Sequence, residues 1–417
     1  MRKTLKFLEN DYIFSIFNKV VAIIAGVITS SLINRFLGPE LKGQYSYICN
    51  IVTLIAIIGN LGFYQSYPYS RRNDVESCSE KYIDAFTFQF IIYLVVAGIA
   101  GLITRNSTIA VAAFLIPMQI LSEQLAMIAL VDFIKFRQRM QIVALLVNLL
   151  ATVIIYFVAK PSVIAALALL YIKDILFIAA SSFKLKYKPK PFSVKPDFFI
   201  FLLKFGIYSM LAALLNRLNY KLDVLMMERF LPYSEIGLYT VGIGLAEYAW
   251  LIPDAFKNVL FARTAKKNSV NSVIMSIKVN TVIIVFVLAG VLLLGQYVIN
   301  FLYGTEFSDS YSVTCIIFLG IPAMMLFKLI GPLYIAEGKQ RMYFIILAVS
   351  VIANAGLNLA LIPTMGKIGA AIASVGSYLV CGIVFYVKFI NDYRIKWYEP
   401  LIIKKSDIHS LLKRVKG

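Results

Sequence analysis

The sequence predicts an all-α membrane protein of twelve transmembrane helices, in two six-helix lobes related by a parallel pseudo-two-fold repeat around a central cavity. Three observations lead there. Of the 417 residues 60% are hydrophobic and only 15% charged, against about 25% charged in an average soluble domain. The mean hydropathy is +0.80. Lys and Arg outnumber Asp and Glu by 41 to 22, and they fall in short connections between apolar stretches, where the positive-inside rule collects them.

This composition excludes several classes. A soluble chain of this length needs far more polar surface to cover its cores. Four cysteines, Cys49, Cys78, Cys315 and Cys381, include no CxxC pair and make no disulfide framework. The single histidine, His409, leaves no multi-His metal site and no Ser-His-Asp triad. A GxxxxGK[ST] phosphate loop is absent, which argues against an intrinsic ATPase. The formal charge of +19 would point to nucleic acid in a soluble protein; its confinement to loops points to anionic lipid instead.

Apolar stretches long enough for a hydrocarbon core of about 30 Å run over 12–36, 44–66, 82–103, 108–130, 141–159, 161–183, 199–230, 237–262, 273–295, 308–336, 343–362 and 368–390. The first is too long for a signal-peptide core and has no small-residue cleavage site after it. Alternate connections, beginning with Arg2, Lys3 and Lys6 and ending with the tail, carry twenty-six Lys and Arg; the others hold only Lys42, Arg105, Lys160 and Lys367. This asymmetry puts both termini in the cytoplasm. The longest polar connection, FKLKYKPKPFSVKPD at 183–197, is stiff and basic. The expected organisation is an N-terminal lobe at 1–183, a cytoplasmic linker at 184–198, a C-terminal lobe at 199–390 and a basic tail at 391–417.

An internal repeat supports the two lobes. Arg35-Phe36-Leu37 followed by Gly43-x-Tyr45 matches Arg229-Phe230-Leu231 followed by Gly237-x-Tyr239, mapping span one on span seven. A weaker match pairs Arg139-Met140 with Arg341-Met342, span five with span eleven. Both halves begin on one side of the membrane, which implies a repeat axis along its normal and rocking alternation of access.

Charges inside the spans carry the functional reading, because each costs about 2.5–3.5 kcal/mol at the bilayer centre and normally faces a cavity or a partner. Span seven is richest. Asn216, Asn219, Tyr220 and Asp223 form one stripe at helical spacing, with Arg217 and Lys221 one turn apart beside it. The pattern fits a cationic cavity wall for an anion; a polar network that only joins helices fits it as well. Lys19, Lys173 (next to Asp174) and Lys328 (between Pro322 and Pro332) are further cationic candidates, with the prolines expected to bend span ten. Glu247 and Asp254 lie seven apart on one face of span eight, with a kink expected at Pro253 between them, and Glu123 lies in span four. These acids and Asp223 could carry a coupling H⁺ or Na⁺, or simply neutralise the lysines. Clustered Arg and Lys in a low-dielectric site favour phosphate or pyrophosphate, and the implied chemistry is binding and release, not bond cleavage. No cofactor is expected beyond the coupling ion.

The sequence resembles the polysaccharide repeat-unit flippases of the multidrug/oligosaccharidyl-lipid/polysaccharide exporter superfamily. The segments that carry the resemblance are NRFLGPELKGQYSY (34–47), NYKLDVLMMERFLPYSEIGLYTVGIGLAEYAWLIPDAFKNVLFAR (219–263), LYGTEFSDS (302–310) and LIPTMGKIGAAIASVGSYLV (361–380). The resemblance implies a bacterial plasma-membrane flippase for undecaprenyl-pyrophosphate-linked oligosaccharide, serving O-antigen, capsule or exopolysaccharide assembly. It also implies membrane lipids, a polysaccharide polymerase and chain-length machinery as partners, with no nucleic acid. A cation-lined lumen would fall to Arg217 and Lys221, then to Lys19, Lys173 and Lys328. An ion-coupled multidrug antiporter of the same superfamily is the alternative. Many prokaryotic members of that kind carry an Asp in span one, where this sequence has Asn18 and Lys19.

Overall fold

The computed structural model describes residues 2–73, 78–264, 270–403 and 407, with side chains from residue 21 onward except at 258, 259 and 261–264. All regular structure among them is helical: α1 (Arg2–Asn60), α2 (Tyr67–Asn73), α3 (Cys78–Thr104), α4 (Ser107–Asp132), α5 (Ile134–Val158), α6 (Val163–Leu185), α7 (Pro196–Met227), α8 (Tyr233–Thr264), α9 (Val270–Tyr303), α10 (Ser310–Ala336) and α11 (Gln340–Asp392), with three short 3₁₀ turns. Among the described residues, ten of these helices are long and apolar enough to cross a membrane.

Two of the ten contain a break. Gly38 in α1 (φ 65°, ψ 176°) and Gly366 in α11 (φ 57°, ψ −136°) leave the helical region. Both breaks fall where the hydropathy pattern separates spans one from two and eleven from twelve. The backbone conformation at each lies in the φ > 0 region that glycine enters without a Cβ penalty. The backbone stays helical through Pro253, Pro322 and Pro332, since a single proline removes one ladder hydrogen bond without forcing φ out of the helical range. Span two stops at Asn60, short of the expected 66, because Leu61 and Gly62 adopt positive φ and a 3₁₀ turn, Phe63–Ser66, follows.

Helix ends are fixed by local chemistry. The Asn106 side chain accepts from the amides of Thr108 (2.9 Å) and Ile109 (3.2 Å) to start α4, and Ser162 accepts from Ile164 to start α6. Lys186 closes α6 in the left-handed conformation. Two loop cations counted in the charge asymmetry are paired. Arg71 lies 2.9 Å from Asp132, and that hydrogen bond raises the guanidinium pKa. Lys339 lies 2.9 Å from Glu337 and 3.6 Å from Asp392, and the Glu337 hydrogen bond holds its ammonium above the usual lysine range.

The chain divides into two compact units, Met1–Leu214 and Leu215–Gly417. The division falls inside α7, whereas the charge pattern marks the basic linker at 184–198. In unit 1 that linker is tied down: the Tyr187 hydroxyl (2.9 Å) and the Lys190 amide (2.6 Å) both donate to the buried carboxylate of Asp84 on α3. Burial and that contact push the Tyr187 pKa up to about 12. The turn at Gly62 packs on α7 so closely that a Cβ there would lie 2.2 Å from the Gly206 carbonyl oxygen.

In unit 2, α10 packs against α8, α9 and α11. It is apolar nearly all round, as a helix enclosed by others must be, and every residue from Phe327 to Tyr334 is buried. Lys328 falls within that run, so its charge requires a partner inside the unit.

Candidate functional site

The polar stripe of α7 faces into unit 2. Asn219 and Asp223 are each 1% exposed. The Ser350 hydroxyl of α11 donates to Asn219 Oδ1 at 2.9 Å and is also 2.9 Å from the Ser377 carbonyl. The Asp223 carboxylate accepts from Tyr239 of α8, from Ser374 of α11 at 2.9 Å and from the Val224 amide at 2.7 Å. Asp223 therefore holds three donors in a dry setting, which makes it a structural anchor joining α7, α8 and α11.

The cations lie next to this anchor. Lys221 donates to Glu247 of α8. Lys328 of α10 donates to Asp254 Oδ2 at 2.6 Å. The Lys328 ammonium also lies 5.3 Å from the Trp250 ring centre and 5.8 Å from that of Tyr220, within the range of cation–π attraction. Tyr220, Trp250 and Tyr378 pack edge and face together, with centroids 5.1 to 6.3 Å apart. Lys257 and Glu247 also act electrostatically on Lys328.

One helix, α8, thus supplies both acids and the indole between them. Glu247, Trp250 and Asp254 follow the i, i+3, i+7 spacing of a single face. The lysine side chains of the two pairs are 16% and 7% exposed, while their carboxylates are 37% and 38% exposed. Lys221 and Lys328 are accordingly neutralised from within the protein, not displayed as a bare cationic wall. Two buried donors nearby, Trp250 Nε1 and Asn219 Nδ2, have no acceptor among the described residues.

Other sequence candidates fall elsewhere. Arg217 and Asn216 are partly buried on α7, a turn before Lys221 and Tyr220. Lys173 on α6 and Glu123 on α4 belong to unit 1 and line one cavity there. Lys173 lies 3.7 Å from the buried Asp174, and Glu123 accepts from Gln119 (3.2 Å) and Asn60 (3.4 Å). Those two residues are in a different unit from the Lys221 and Lys328 pairs. The Lys19 side chain lies outside the described residues.

Four contributors, Trp250, Tyr239, Ser374 and Ser350, are not marked by the sequence as site residues. Trp250 shares a face with the two acids, a signal visible once helical spacing is applied to α8. Tyr239 belongs to the repeat motif itself. Ser374 lies in the segment 361–380 that carries the family resemblance. Nothing in composition distinguishes Ser350 from other small polar residues of a membrane helix.

Paired acidic and basic side chains held between apolar helices define a multi-pass helical membrane protein with a polar site inside one of its units. A family model described as "Polysaccharide biosynthesis protein" matches residues 32–312, and one described as "Lipid II flippase MurJ" matches residues 255–410. The chain belongs to the polysaccharide biosynthesis protein family. Its fold is shared with solved structures of a MurJ lipid II flippase and of a MATE family transporter. The solved structure of the lipid II flippase MurJ in its inward closed conformation is 13% identical, with a TM-score of 0.74 over 93% of this chain and 89% of that one. The inward-facing conformation of a multidrug resistance MATE family transporter is also 13% identical, with a TM-score of 0.70 over 89% and 94%. A superfamily transporter from Pyrococcus furiosus, described as having a binding pocket of reverse polarity, is 12% identical, with a TM-score of 0.61 over 91% and 94%. No curated protein matches the chain. The matched folds are those of flippases and transporters, not of enzymes.

Proposed function

We propose that the protein flips an undecaprenyl-pyrophosphate-linked oligosaccharide from the inner to the outer leaflet of a bacterial plasma membrane, by ion-coupled alternating access. The observation that carries this reading is the double pairing of Lys221 with Glu247 and Lys328 with Asp254. A phosphate brings the same oxygen chemistry as these carboxylates and competes for the same ammonium groups. Each carboxylate displaced by a phosphate loses its cation, and the loss favours uptake of H⁺ or Na⁺. Substrate binding and ion binding are then linked through two residues of α8. The unpaired donors of Trp250 and Asn219 offer further hydrogen bonds to an incoming oxyanion. Family membership and the likeness to a lipid II flippase fold support a lipid-linked substrate.

The deciding experiment is lipid extraction and mass spectrometry from a deletion strain, with the inner leaflet probed separately. Accumulation of an undecaprenyl-pyrophosphate oligosaccharide on the cytoplasmic side is the expected result and identifies the glycan. Unchanged lipid pools together with altered drug or ion sensitivity would favour an ion-coupled multidrug antiporter. The half-exposed carboxylates of Glu247 and Asp254 favour that second reading, and their lysine partners count against it.

A further inference from the structure

α4, α5 and α6 enclose a cavity of about 350 Å³ in unit 1, within the size range of small-ligand sites. Its wall carries Arg137 from α5, Glu123 from α4 and Lys173 from α6. Arg137 lies three residues into α5, and Asn148, also on the wall, lies eleven residues further on, about 16 Å deeper along the helix at 1.5 Å per residue. The cavity therefore runs from the helix end into the apolar layer. Leu145 and Phe177 supply apolar wall between the charges.

The charges are arranged in an unusual way for a cavity between apolar helices: Glu123 is exposed and Arg137 is partly buried. Among the described residues, neither Arg137 nor Glu123 forms an ion pair. Arg137 Nε is buried and has no hydrogen-bond acceptor. Glu123 accepts hydrogen bonds from the side-chain amides of Gln119 and Asn60, and the Lys173 charge acts on it from beyond ion-pair distance. Lys173 has its side chain 63% exposed and shares its charge with Asp174. Among the described residues the wall thus offers one cation and one anion outside any ion pair, together with a lysine whose charge is offset by Asp174, a neighbour that does not itself line the cavity, so the site is close to neutral in total. A free phosphate would bring its full negative charge beside Glu123 and leave that carboxylate unanswered. A ligand carrying both a phosphate and an ammonium answers each group with its opposite.

We propose that this cavity binds the headgroup of an amine-bearing phospholipid, with phosphate oxygens on Arg137 and Lys173 and the ammonium on Glu123. The acyl chains remain along the apolar wall and the surrounding lipid. The site belongs to unit 1 and does not rest on the substrate assigned to the Lys221 and Lys328 pairs, so either assignment can fail without the other.

The test is native mass spectrometry of the full-length protein, delipidated in detergent and titrated with phosphatidylethanolamine or with phosphatidylglycerol of the same acyl chains. The expected result is preferential retention of the first phosphatidylethanolamine by about tenfold. Glu123→Gln is expected to reduce that preference to near unity, and Arg137→Gln to weaken both lipids by about tenfold. Inorganic phosphate is expected not to displace the bound lipid. Equal retention of the two lipids by the wild-type protein overturns the proposal without recourse to any variant. Phosphatidylethanolamine preference that survives intact in Glu123→Gln, or displacement by inorganic phosphate, overturns it as well.

Discussion

Lys328 of α10 and Asp254 of α8 meet at 2.6 Å beside the Trp250 ring, and this contact neutralises the one charge in the buried run from Phe327 to Tyr334. Removing one member of such a pair leaves an uncompensated charge, at a cost of about 3–5 kcal/mol for full burial. Asp254 is 38% exposed, so the lower end applies. Asp254→Asn is expected to lower the melting temperature of the purified protein clearly, and Asp254→Asn combined with Lys328→Met to restore most of the loss. A double variant as unstable as the single one would show that the pair does not carry the effect. The restored double variant is nonetheless expected to be inactive in flipping, since it retains the packing and loses the ammonium group proposed to take the substrate phosphate.

Arg217 and Lys221 lie one helical turn apart on α7, beside the buried Asn219 and Asp223. Arg217→Ala and Lys221→Ala, separately and together, are expected to reduce surface polysaccharide at unchanged protein level. Lys221→Arg keeps the charge and should retain part of the activity. Normal polysaccharide in the double alanine variant, with wild-type membrane abundance by immunoblot, would remove α7 from the substrate path.

Much of this architecture is legible in the sequence. Hydropathy marks each of the ten helices that are long and apolar enough to cross a membrane among the described residues, and the two breaks within them, Gly38 and Gly366, are glycines between apolar stretches. Both repeat copies mark a corner: Arg35 to Leu37 leads into the break at Gly38, and Arg229 to Leu231 lies in the turn between α7 and α8. Lys221, Glu247, Asp254 and Lys328 are each legible in the sequence as charges inside apolar spans. Their pairing is not, because hydropathy records which residues lie in a span and not which residue of a neighbouring helix meets them. Asp223 illustrates the limit. As a sequence element it is an acid in a membrane helix and a candidate for ion coupling; its three hydrogen bonds come from residues 1, 16 and 151 positions away, a separation that no local pattern encodes.

Gly382 tests the packing of α10 on α11 directly. A Cβ at Gly382 would lie 2.1 Å from the Ala323 carbonyl oxygen, a contact with backbone that no rotamer change relieves. Gly382→Ala must move the two helices apart, at about 1–3 kcal/mol for overpacking. Gly244→Ala serves as the control, since nothing lies within 4 Å of a Cβ there, and it is expected to be neutral or slightly stabilising through helix propensity. Thermal unfolding in detergent compares the two. Equal melting temperatures for Gly382→Ala and wild type would show that the α10 and α11 backbones are not in contact at this point.

The linker anchor gives a pH prediction. The Tyr187 hydroxyl donates to Asp84, and its pKa rises from 10.0 to about 12 as a result of burial and that contact. A group whose folded pKa is raised contributes stability fully present below its unfolded pKa and lost as pH rises through the folded one. The stability difference between wild type and Tyr187→Phe is therefore expected to stay constant from neutral pH to about 10 and to shrink above it. Difference absorbance of the tyrosinate band between the two proteins reads the same event, with a midpoint near 12 for the residue removed. A midpoint near 10 would mean that Tyr187 is solvated and that Asp84 holds the linker through the Lys190 amide alone.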